Sequence, residues 1–167
     1  GQQVVEVRPQ VGGLITRICI REGEKVRKGQ LLFVIDQVPY KAALAEAVAN
    51  VESAEANLAT ARLNLESTKV LRENNVVHDY EVKTASNAFS SAKAALAQAR
   101  AKELSARNNL SYTEVRSPVD GVASMIAYRV GALVGSSITE PLVTLSDDSN
   151  VYAYFSLNES QLTALTE

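Results

Sequence analysis

The sequence predicts an elongated α+β protein in which two small β halves close on each other and a long helical hairpin is inserted between them. Three observations predict it. A β-rich pattern occurs twice: Val7-Arg8-Pro9-Gln10-Val11-Gly12-Gly13-Leu14 near the start, and Val115-Arg116-Ser117-Pro118-Val119-Asp120-Gly121-Val122 much later. Val7/Val115, Val11/Val119, Gly13/Gly121, Ile18/Ile126, Gly23/Gly131 and Val26/Val134 superpose with one fixed offset and no gap. Between the copies the pattern changes to a seven-residue repeat rich in Ala, while aromatics are only 5% of the chain and Trp is absent. Alanine makes thin helix–helix seams, so small cores at one end of a long rod are expected.

The first half, residues 4–36, alternates short apolar runs with turn signals and closes on Leu31-Leu32-Phe33-Val34-Ile35-Asp36. Gly13, Gly23 and Gly29 are read as turn glycines, as are Gly121 and Gly131 in the second half, because tight turns demand positive φ. Cys19 lies in an alternating stretch and is expected as a buried thiol in a small sheet. A half this small cannot bury a core alone. The expected arrangement sets Val11, Leu14, Ile18, Val26, Leu32 and Val34 face to face with Val119, Val122, Ile126, Val134, Leu142 and Val143.

Residues 37–110 read as the hairpin, with its tip at about 72–79. The first helix places Leu44, Val51, Leu58 and Leu65 at one heptad position and Ala47, Ala54, Ala61 and Thr68 at the other. The second places Val82, Phe89, Leu96 and Leu110 against Ala85, Ala92, Ala99 and Ala106, with Glu103 interrupting the large positions. Large/Ala alternation on both helices predicts an antiparallel coiled coil of about 50 Å. Pro39 suits the first turn, and Asp79 is the expected N-cap of the return helix. The second half covers 111–147, and 148–167 opens a further strand pattern, Val151-Tyr152-Ala153-Tyr154-Phe155.

The bulk properties exclude several function classes. A net charge of −2 with scattered basic residues argues against nucleic acid. A single Cys and a single His in separate segments supply neither a disulfide framework nor a metal cage. No Ser/His/Asp or Cys/His constellation is present, so no enzyme, cofactor or metal is expected. No apolar run reaches the ~20 residues needed to cross a bilayer. Any export signal or membrane anchor is expected outside these residues.

Val11, Gly13, Ile15, Ile20, Glu22-Gly23, Val26, Lys28-Gly29-Gln30, Leu32 and Ile35-Asp36 resemble the first half of a lipoyl/biotinyl-type domain, and Ser117-Pro118-Val119-Asp120-Gly121 resembles a strand of its second half. A carrier domain would join those halves by a tight turn bearing a modified Lys. Here the hairpin occupies that junction. A lipoyl-like β-sandwich split by a coiled-coil hairpin resembles the periplasmic adaptor, or membrane fusion protein, family. Asn109-Leu110-Ser111-Tyr112-Thr113-Glu114-Val115-Arg116-Ser117-Pro118 is similar to the re-entry segment in adaptors of resistance-nodulation-division (RND) efflux pumps. Residues 148–167 would then begin the family's β-barrel domain.

The resemblance implies an adaptor linking an inner-membrane RND-type transporter to an outer-membrane channel. Its lipoyl domains would pack in an adaptor ring, and it would sit in the periplasm, anchored through an N-terminal segment. It also implies that the hairpin tip docks on the channel through an R-x3-L-x6-S pattern. Aligned on Leu71, Ser67 stands where that pattern has Arg, and His78 where it has Ser. Ser67, Leu71, Arg72, Val76, Val77 and His78 are therefore the candidate partner-binding residues. An adaptor of an ABC or major-facilitator exporter, including type I secretion, is the nearest alternative. A lipoyl/biotinyl carrier and a structural coiled-coil protein are more distant ones.

Overall fold

The structure is a computed structural model describing residues 3–147. The strand expected within 148–167 lies outside the described residues. Two compact units are present: one runs to Gln37 and resumes at Ser111, and the other is Val38–Leu110.

Among the described residues the β unit has eight short strands: β1 (Val4–Val7), β2 (Gly13–Ile18), β3 (Lys25–Val26), β4 (Leu31–Ile35), β5 (Glu114–Arg116), β6 (Gly121–Ala123), β7 (Leu133–Val134) and β8 (Val143–Asp147). They form two four-stranded antiparallel sheets, ordered β1-β8-β6-β3 and β5-β4-β2-β7. Under the sequence repeat β1 corresponds to β5, β2 to β6, β3 to β7 and β4 to β8, so one sheet maps onto the other. Each sheet takes its two inner strands from one half and both edge strands from the other. The halves are therefore interleaved within the sheets as well as packed face to face. Neither has a complete sheet without its partner.

The correspondence extends to individual hydrogen bonds. Ala123 donates its N–H to Glu24 O and Gly23 donates to Ala123 O; Ile15 donates to Ala132 O and Gly131 donates to Ile15 O, the same exchange in the other copy. Two arginines fasten the halves reciprocally. Arg8 pairs with Glu6 at 3.2 Å and donates to Ile138 O at 2.7 Å, while Arg116 pairs with Glu114 at 3.0 Å and donates to Gly29 O at 3.1 Å.

Five of the expected core residues are buried (Val26, Leu32, Val134, Leu142, Val143), with Val11, Ile18, Val119 and Ile126 packed against them. Three expectations fail. Leu14 is 47% exposed, and Val34 and Val122 are only half-buried, whereas Ile15, Phe33, Ile35, Ala123 and Leu145 fill the interior. Irregularities in register between Ile15 and Arg17 and between Leu31 and Phe33 break the period of two. After the second break, Leu32 and Phe33 both turn inward and shift the phase that the alternation implied. Cys19 is half-buried, not buried.

Two of the five glycines do not form turns. Gly23, Gly29 and Gly131 have φ of 78°, 87° and 97°, but Gly13 and Gly121 are the first residues of β2 and β6. A Cβ on Gly121 would lie 2.6 Å from Ser146 O, and one on Gly13 would lie 2.7 Å from Ile35 Cγ2. Gly121 is glycine because a neighbouring strand's carbonyl lies too close for a side chain, whereas Gly13 faces a movable Ile35 methyl and has a φ of 155° that side chains rarely adopt.

The second unit is formed by α1 (Val38–Glu73) and nearly all of α2 (Asp79–Tyr112), which runs two residues past the expected end of the hairpin at Leu110. Every heptad position assigned to the seam is buried or half-buried, with Ala47, Val51, Leu65, Thr68, Ala85 and Leu96 the most enclosed. Along one flank, Arg62 stacks over the Phe89 ring at 5.6 Å and Arg100 approaches Glu55 at 3.5 Å. Glu103, at its interrupting position, is held by Arg107 one turn later at 3.1 Å.

Candidate functional site

The candidate site is the hairpin tip, where two chain-end problems are solved within a few residues. The last carbonyls of α1 need donors and the first N–H groups of α2 need acceptors. Asn75 adopts a left-handed φ of 60°, which Asn tolerates better than most residues. Val76 then donates to Leu71 O at 2.8 Å and Asn75 to Arg72 O at 3.0 Å, the pair of bonds that define a Schellman motif. The Asn74 side chain adds a bond to Val70 O at 3.0 Å.

At the start of α2 the Glu81 carboxylate accepts the His78 N–H at 2.9 Å. That is one half of a capping box, with His78 at the N-cap position and Glu81 three residues on. The expected N-cap, Asp79, is instead the first helical residue. Its carboxylate accepts from Arg72 Nε at 2.7 Å, joining the end of α1 to the start of α2. The Arg72 hydrogen bond and charge hold the Asp79 carboxyl below its ordinary range. Val77 and Val82, both half-buried, occupy the two positions of a hydrophobic staple.

This geometry divides the six residues nominated from sequence. Arg72 is half-buried and turned onto Asp79 and Asn75, and Val77 takes the staple position; both build the tip. Ser67 and His78 are exposed, as are Leu71 at 38% and Val76 at 66%. Val70, 54% exposed, and Tyr80, 75% exposed, stand outside the six; both are large apolar side chains at the heptad position farthest from the seam. Among the described residues no group of three His, Cys, Asp or Glu is placed to hold a metal ion, and no helix is long and apolar enough to cross a membrane.

Residues 3–146 match the barrel-sandwich hybrid domain of RND membrane fusion proteins. The chain belongs to that family. The match takes in both β halves and the whole hairpin, so the lipoyl-like sandwich and its insertion are a family architecture. Multidrug resistance protein MdtE of Escherichia coli (strain K12) is 34% identical over 150 residues, covering 90% of this chain and 39% of that protein. The antibiotic efflux pump periplasmic linker protein ArpA of Pseudomonas putida is 34% identical over 163 residues, covering 98% of this chain and 40% of that protein. The chain thus spans about two fifths of the length of these curated relatives. Among solved structures, a MacA–MexA chimera carrying the Pseudomonas aeruginosa MexA α-hairpin is similar with a TM-score of 0.56 and 32% identity, over 87% of this chain and 48% of that one.

Proposed function

We propose that this chain is the sandwich-and-hairpin portion of a periplasmic adaptor in a tripartite efflux pump, joining an inner-membrane RND-type transporter to an outer-membrane channel. The family match across residues 3–146 carries this reading. Relatives bearing the names of multidrug resistance and efflux pump linker proteins support it. The protein performs no reaction; it contributes reach and sealing. A helix of 36 residues spans about 54 Å, which suits the hairpin to hold its tip well away from its base. The β unit packs against neighbouring copies in an adaptor ring, and membrane attachment lies outside these residues.

The test is photocrosslinking in cells from a photoreactive residue at Glu73, an exposed position at the end of α1, in the full-length protein. Capture of an outer-membrane channel is the expected outcome. Self-adducts alone, or none, would reduce the hairpin to a spacer or an assembly rod.

A further inference from the structure

The surfaces that join the two halves of this chain carry no mark of belonging to the same copy. Each sheet takes its inner strands from one half and its edges from the other, and the seam sets α1 beside α2. The second half and α2 of another copy would present those same surfaces. What ties each first half to its own second half is the reversal at residues 74–78, between the two helices. Were these residues helical, α1 and α2 would be one helix over 38–112 that cannot fold back on itself. Each half would then be completed by another copy. Contacts away from the tip are the same in both arrangements, so within the chain the tip carries the energetic difference.

We propose that the tip turn is a lock against exchange of halves between copies, and that the partner it excludes is a second copy of this chain. Three of its features exist only in the turned form. Asn75 holds a φ of 60°, Val76 donates to Leu71 O in a bond one residue longer than a helical one, and Arg72 Nε reaches Asp79 at 2.7 Å. In a continuous helix residues seven apart are separated by about 10.5 Å along the axis, so the Arg72–Asp79 bond would be lost. The residues of the turn also resist helix. Asn74, Asn75, Val76, Val77 and His78 are successive residues drawn from the weaker helix formers. The local sequence thus favours the turn and opposes running through it.

The test coexpresses two versions of the full-length protein with different tags, both carrying Cys19→Ser. One has Leu14→Cys and the other Leu133→Cys, positions directly opposed in β2 and β7 and therefore within disulfide reach. After oxidation, a disulfide between differently tagged chains reports an exchanged half. The native tip is expected to give little of it. Asn75→Ala should give about tenfold more or greater, since each exchanged dimer gives up two strained turns. Asn75→Gly, which suits a left-handed φ, should stay at the native level. Lys25→Cys with Val122→Cys, opposed in the other sheet, should respond alike. A single chain carrying both Leu14→Cys and Leu133→Cys closes its own disulfide only when folded, which checks each tip variant. The lock is overturned if Asn75→Ala leaves interchain disulfide at the native level, or if Asn75→Gly raises it equally. A link at one pair alone, which marks contact between intact neighbours, overturns it too, as does a native tip that already exchanges freely.

Discussion

The β unit and the hairpin bury their apolar side chains in different ways, and the difference separates how each is stabilised. In the sandwich, Leu32, Phe33, Ile35, Leu142 and Leu145 have no exposed surface at all, and strands from both halves alternate in each sheet. In the hairpin, Leu44, Leu58, Phe89 and several seam alanines are only half-buried, since two helices alone cannot enclose a side chain from all directions. Its stability is spread thinly along the seam and fastened at the tip. Losses in the sandwich should be large and global, and losses in the hairpin smaller and local.

The strongest way to break the comparison is Phe33→Ala, which empties a fully enclosed site shared by both halves. A loss of about 3–5 kcal/mol is expected from chemical denaturation. Leu96→Ala in the seam should fall at or below the lower end of the roughly 2–5 kcal/mol range for such truncations. If the two cost the same, the contrast is wrong.

Next in size is a glycine series. Gly121→Ala drives a Cβ against a strand carbonyl, and Gly13→Ala drives one against the movable end of Ile35. Gly121→Ala should cost about 1–3 kcal/mol, and Gly13→Ala a comparable amount, because its φ of 155° strains any side chain whatever the space around it. Gly23→Ala meets nothing within 4 Å, so its penalty is conformational alone, about 1 kcal/mol, read from the shift in thermal midpoint.

Glu103→Leu sharpens the hairpin side by restoring the large heptad position. A gain of roughly 1 kcal/mol is expected, measured as slower amide exchange in the surrounding turns of α2. Unchanged or faster exchange would show that the Glu103–Arg107 pair is worth more than the apolar contact.

The smallest effect is the tip ion pair. Asp79 has a folded pKa below its ordinary value of 3.8, so its contribution is present above that value and is lost as pH falls through the lowered folded one. Asp79→Asn should therefore flatten the acid limb of hairpin stability and leave the behaviour between neutral and mildly alkaline pH unchanged. Circular dichroism melts across that acid range read it directly. An acid limb of unchanged slope would assign the titration to another carboxylate.

Much of the fold was legible because two periods were written plainly. A repeat with constant spacing from Val7/Val115 to Val26/Val134 marked two copies of one β motif, and Leu44 through Thr68 marked a seam that the structure places inward at every position. Strand phase was harder to read. Nothing local told that Leu32 and Phe33 both turn inward, because the register break depends on which strand lies alongside. Glycine roles divided for a similar reason. Gly23 and Gly131 answer to a local turn, whereas Gly121 answers to Ser146, a residue distant in sequence. At the tip, sequence nominated Arg72 and Val77 as candidates, and the structure turns Arg72 onto Asp79 and leaves Val77 half-buried at the staple position, contacts that no local pattern announced.

By itself, then, the sequence determined the secondary structure, the duplication and the inserted hairpin, since these follow from periodicity and turn chemistry acting over a few residues. Only the tertiary structure decided that each sheet borrows its edges from the other half, that Arg8 and Arg116 latch the halves reciprocally, and that Arg72 is spent on Asp79. Those outcomes depend on which surfaces meet in space. A side chain's hydrogen-bonding capacity is written in its type, but its partner is chosen by the fold.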